Sequence, residues 1–189
     1  MVDVSEKRGG SDRARFEALL DLVVEPVRRF LARRVDTVTA DDVLGEVMVV
    51  LWRRSDEVPR GEEIPWAVGV ARHQLANALR SMRRQERLVA RIITIDPPSE
   101  ARGGTEAVEP RTDLVREALG RLSARDAEVL RLSFWDDLGV SEIATVLGVS
   151  PNAVSIRLHR AKGRLAVTVR KMQEGDGHVV AGGEDADDT

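Results

Sequence analysis

The chain of 189 residues contains no cysteine and no tyrosine, and its aromatic rings are limited to three tryptophans and three phenylalanines. Without cysteine there can be no disulfide, no thiolate nucleophile and no Cys-ligated zinc. The three histidines, His73, His159 and His178, are not paired at metal-ligand spacing. No metal site and no cofactor is therefore expected. No nucleophile–base pairing and no glycine-rich phosphate loop stands out, so an enzyme is not expected either. No apolar run reaches the roughly 18 residues a membrane span needs, and the N-terminus has no signal-peptide core. These readings predict a cytoplasmic protein with no membrane insertion. Strict two-residue alternation is also lacking. Few aromatics and many Ala, Leu, Val, Arg and Glu favour helices, so the expected fold class is all-α.

The net charge of −3 is unevenly spread. Residues 174–189 carry Glu174, Asp176, Glu184, Asp185, Asp187 and Asp188 with no Lys or Arg, so residues 1–173 alone are net positive. Residues 150–173 carry Arg157, Arg160, Lys162, Arg164, Arg170 and Lys171 and no acid. A second basic run holds Arg80, Arg83, Arg84, Arg87 and Arg91, relieved only by Glu86. Two basic helical segments far apart in sequence suggest two nucleic-acid contacts, although either alone also fits a solvated helix face.

Apolar spacing divides the chain into two small helical domains. Residues 1–10 read as a disordered N-terminus, and residues 11–93 as the first domain. Its first helix starts from a Ser11 cap and carries Phe16, Leu19, Leu20, Val23, Val27, Phe30 and Leu31, with Pro26 expected to kink or split it. A second helix is expected from about Thr39, capped through Thr39 and Asp42. A third runs from about Trp66 to Arg91, with Trp66, Val70, Leu75, Leu79, Met82 and Leu88 as candidate core residues. Residues 94–112, with Pro97, Pro98, Gly103, Gly104 and Pro110, lack periodicity and read as an extended linker. The second domain spans 113–173, and 174–189 form an acidic, disordered tail.

The sharpest local pattern lies in Ser141–Arg170. A short helix capped by Ser141, with Ile143, Ala144 and Leu147 inside, ends at Gly148, where a left-handed residue costs glycine little. Ser150 then suits an N-cap and Pro151 the first helical position. In the second helix Val154, Leu158, Ala161 and Leu165 form one stripe. Asn152, Ile156, His159 and Arg160 point the other way, with Ser155 and Lys162 on one flank and Arg157 and Arg164 on the other. This predicts a helix-turn-helix whose second helix meets base edges and phosphates. A plain amphipathic helix in a bundle is the competing reading.

Residues 138–165, LGVSEIATVLGVSPNAVSIRLHRAKGRL, resemble region 4 of bacterial sigma-70 factors, as does LSARDAEVLRL at 122–132. Residues 39–52, TADDVLGEVMVVLW, resemble the polymerase-docking motif of region 2 in the same family, and residues 65–84, PWAVGVARHQLANALRSMRR, resemble its −10-reading segment. Both motifs occur in the family's order, without the extra regions of housekeeping sigma factors. The chain thus resembles the extracytoplasmic-function group. The resemblance implies that Asp41, Asp42, Glu46, Val49 and Trp52 bind core RNA polymerase, this helix docking on the coiled coil of the β′ subunit, with the β′ and β subunits as the polymerase partners. It implies that Arg72, His73, Asn77, Arg80, Arg83 and Arg84 contact and help to open the −10 element. Asn152, Ser155, Ile156, Arg157, His159, Arg160, Lys162 and Arg164 would contact the −35 element. Promoter DNA is the implied ligand, and an anti-sigma factor is a further partner the family admits. Gly45, Val50, Ser155 and Ile156 depart from the common pattern. The alternative function is a signal-responsive helix-turn-helix regulator acting without polymerase, which would call for an N-terminal sensing module.

Overall fold

A computed structural model describes residues 4–92 and 110–176, and these fold into seven α-helices with no strand among them. The first, α1 (Val4–Ala32), presents Leu19, Val23, Val27, Phe30 and Leu31 to the interior. It starts well before Ser11, so residues 4–10 are helical rather than a disordered lead-in, and Ser11 is no cap. Pro26 lies inside α1 without splitting it. The proline removes one backbone donor, while Val23 and Val27 anchor the turns on either side in the core.

Helix α2 (Thr37–Arg53) begins earlier than Thr39 because Asp36 is its N-cap. The Asp36 carboxylate accepts from the Thr39 backbone N–H at 3.0 Å and from its hydroxyl at 2.8 Å. Helix α3 (Glu63–Ile92) also starts early, with Pro65 in its first turn, where a missing N–H is harmless. Its core residues are Ala67, Val68, Ala71 and Leu75. Met82, expected in the core, is exposed, because α3 has by then run past the helices that cover its first half.

Helix α4 (Pro110–Gly120) takes in residues 110–112, which the sequence assigned to the linker, with Pro110 at its first position. The rest of that linker lies outside the described residues. Helix α5 (Ala124–Phe134) is capped by Ser123, whose hydroxyl accepts from the Asp126 N–H at 3.2 Å. Helix α6 (Val140–Leu147) is capped at Gly139 rather than Ser141, and the Gly139 N–H donates to Glu142 at 2.7 Å. Helix α7 (Pro151–Asp176) absorbs Glu174–Asp176, which the sequence assigned to a disordered tail; residues 177–189 lie outside the described part.

Helices α1, α2 and α3 pack on one another, and α7 packs against α4, α5 and α6. The two groups meet where α3 lies on α6, and one apolar cluster runs through both, from Leu19 to Ala161. At that seam Gly69 faces the Val146 backbone, where a β-carbon would sit 3.6 Å away. Polar contacts frame the seam. Arg34 donates to both carboxylate oxygens of Asp136, at 3.3 and 2.7 Å, and Thr145 donates to Glu62 at 2.9 Å.

Candidate nucleic-acid interface

The turn between α6 and α7 follows from two residues. Gly148 adopts φ 63°, and Val149 N–H reaches back to the Ala144 carbonyl at 3.1 Å, closing the end of α6. Ser150 then accepts from the Ala153 N–H at 3.3 Å, and α7 begins at Pro151. Val154, Leu158 and Ala161 are buried, which fixes the rotation of α7. Asn152, Ser155, Ile156, His159, Arg160 and Lys162 therefore face outward, all exposed, while Arg157 is half-buried. Lys162 Nζ lies 5.2 Å from the centre of the exposed Phe134 ring. The outward face combines amide, hydroxyl, imidazole and guanidinium groups with no acid, which suits base edges and phosphates.

Arg164, placed in the same set by sequence, is engaged by the protein itself. One guanidinium nitrogen donates to Asp126 near the start of α5. Asp126 is buried, at 6% exposure. Burial acts to raise its carboxyl, but hydrogen bonds from Arg164 and Ser123 and the charges of Arg164 and Arg157 hold it below its ordinary value. The two partners lie 38 residues apart, and no local pattern in the sequence links them.

On α3, His73, Asn77, Arg80 and Arg84 fall along one stripe at helical spacing. The Asn77 amide lies 3.3 Å from the His73 ring and accepts from Arg80, so three of these groups form one connected surface. Arg80, Arg83 and Arg84 are exposed. Arg72 and Arg83 occupy the neighbouring flank. Arg72 lies 3.4 Å from Glu128 of α5 while remaining exposed, and Arg83 is exposed as well. Glu128 is thus a second residue that sequence reading did not connect with the interface.

The α2 residues form a third face. Asp41, Asp42, Glu46, Val49 and Trp52 are all exposed and share one side of the helix. Val38, at 73% exposure, extends this side and was not singled out from sequence. Trp52 meets Phe16 of α1 edge to face at 4.9 Å between ring centres, so its ring is held upright at the surface. Gly45 sits in the middle of the face, with nothing within 4 Å of where a β-carbon would be.

Comparison with known proteins places these faces in context. Residues 112–165 match the family described as Sigma-70, region 4. The chain is 31% identical over 160 residues to RNA polymerase sigma factor CarQ of Myxococcus xanthus, covering 84% of this chain and 90% of that protein. It is 31% identical over 167 residues to ECF RNA polymerase sigma factor SigD of Mycobacterium tuberculosis, covering 82% of this chain and 76% of the relative. The fold resembles that of the sigma factor RpoE, solved with the anti-sigma factor NepR from Bartonella quintana. The TM-score is 0.58 at 19% identity, covering 82% of this chain and 96% of that one. With these relatives matched along most of their length, the chain belongs to the extracytoplasmic-function group of sigma-70 RNA polymerase sigma factors.

Proposed function

We propose that this sigma factor binds core RNA polymerase through the exposed face of α2, reads and opens the −10 element with the far half of α3, and reads the −35 element with α7. The observation that carries this reading is the separation of three exposed faces of different chemistry. An acid-rimmed apolar face lies on α2, a basic and amide-bearing stripe on α3, and an acid-free basic face on the first four turns of α7. Asp41, Asp42 and Glu46 suit a basic partner surface, with Val38, Val49 and Trp52 as apolar anchors. Asn77 and His73 suit an unstacked base, and Arg80, Arg83 and Arg84 suit its flanking phosphates. The chain supplies recognition and leaves the chemistry of RNA synthesis to polymerase. No described helix is long and apolar enough to cross a membrane, and the proposed site of action is the cytoplasm. An anti-sigma factor that covers the α2 face is the form of regulation this arrangement admits.

The packing of α6 on α3 bears on how promoters are read. Elements centred near −35 and −10 lie about 25 base pairs apart, or about 85 Å along the duplex. A compact chain of this length has a radius of gyration of about 16 Å. The two groups of helices must therefore part for α3 and α7 to hold both elements. That step also releases Arg72 from Glu128. Run-off transcription tests the reading. Core RNA polymerase with this chain and genomic promoter fragments should yield defined transcripts that core alone does not. Identical products with and without the chain would refute it.

A further inference from the structure

We propose that Asp126 is a positioning residue for −35 recognition: from the first turn of α5 it buttresses Arg164 of α7, so that the guanidinium meets a DNA phosphate already oriented. The inference rests on the reading that α7 binds the −35 element and adds a residue that never faces the DNA. Asp126 is only 6% exposed, whereas the Arg164 side chain is 61% exposed. The carboxylate takes one edge of the guanidinium, and its remaining N–H groups are left toward solvent. Arg164 lies one turn beyond Arg160 on α7, and both line an open groove with Arg121, Ser123, Asp126 and Thr168. The Thr168 hydroxyl donates to the Arg164 carbonyl at 2.9 Å, which helps to hold this turn of α7. An arginine with one edge anchored loses less rotamer freedom when its free edge binds phosphate.

Simple charge counting makes the opposite prediction. An acid next to a phosphate-binding face repels DNA, so removing it should tighten binding. The sign of the effect therefore separates a buttress from a bystander. The experiment uses holoenzyme and a duplex carrying the −35 half of a promoter that it transcribes in the run-off assay. Asp126→Asn and Arg164→Ala should each weaken binding about fivefold, and the double variant should be no weaker than either single one. Asp126→Asn combined with Arg160→Ala should instead show losses that multiply. Thermal unfolding of each variant gives the folded fraction and removes global instability from the comparison. Binding by Asp126→Asn equal to or tighter than the parent overturns the proposal, as do multiplying losses for Asp126 and Arg164. If the parent holoenzyme shows no preference for −35-bearing DNA, the assignment of α7 fails, and the buttress fails with it.

Discussion

Asp136→Ala should loosen the contact between the two helical groups more than it harms either one. Arg34 and Asp136 are 102 residues apart in sequence, and their side chains are 10% and 5% exposed. The Arg34 guanidinium also lies 3.7 Å from the centre of the Phe30 ring and donates to the Phe30 carbonyl at 2.9 Å. Arg33, much more exposed, reaches Asp136 at 3.6 Å. Deleting the carboxylate leaves a nearly buried guanidinium with one backbone acceptor. Breaking a buried ion pair from one side costs about 3–5 kcal/mol. The surviving carbonyl and ring contacts place this case near the lower end, at about 3 kcal/mol. For a chain of this size that corresponds to a fall in apparent Tm of about 6–12 °C if the groups unfold together.

Two measurements check this: thermal unfolding and small-angle X-ray scattering. The parent should scatter with the compact radius of its two packed groups, and Asp136→Ala should scatter with a clearly larger one. Replacing both partners, Arg34→Met with Asp136→Leu, should recover most of the loss, because no charge is then left stranded. An unchanged radius and midpoint in Asp136→Ala would refute the reasoning. So would a double variant as damaged as the single one.

Gly45→Ala should raise stability by about 1 kcal/mol, since Gly45 is exposed mid-helix and the new methyl meets nothing; chemical denaturation reads the gain. Gly148→Ala should cost about 1–2 kcal/mol, because φ 63° suits glycine and not alanine; the same denaturation assay applies, and promoter binding should weaken as the turn before α7 loosens. Arg160→Ala should lower the salt dependence of −35 binding by about one phosphate contact, read from affinities across a salt series. The Asp126 carboxyl sits below its ordinary value in the folded chain, so its contribution is complete above the ordinary value and is lost as pH falls from there through the lower folded value. Acid unfolding of Asp126→Asn should thus converge on that of the parent only well below about pH 4, once the carboxyl is protonated in the folded chain as well as in the unfolded one.

The helices were legible because their signals are local. Val23, Val27, Phe30 and Leu31 repeat at the helical period, and Gly148 followed by Ser150 and Pro151 marks a turn that few other conformations satisfy. Helix starts were less legible where capping residues compete. Asp36 and Thr39 both suit a cap, and Asp36 prevails because its carboxylate binds the Thr39 N–H and hydroxyl together. Gly139 prevails over Ser141 with no side-chain cap of its own, its backbone N–H held instead by the Glu142 carboxylate. The ends of α1 and α7 were missed for a different reason. Both ends run through polar residues, Gly9–Ser11 and Glu174–Asp176, where no apolar period announces a helix.

The candidate sites divide along the same line. Exposed sets on one helix, such as Asn152, His159 and Arg160, follow from periodicity once the buried stripe is known. Arg72 and Arg164 belong to such sets by spacing, yet each is drawn to an acid on α5. Nothing in a linear reading distinguishes Asp126 and Glu128 from the other acids near helix starts. Their importance comes from the approach of α7 and α3 to two sides of α5, at separations of 38 and 56 residues. Arg34 with Asp136 is the extreme case: each looks like an ordinary helix-end charge until the fold buries both. Local periodicity thus shows which face of a helix is free. Which charges on that face are already paired is decided by long-range packing, and here α5 makes that selection twice, pairing Arg72 with Glu128 and Arg164 with Asp126.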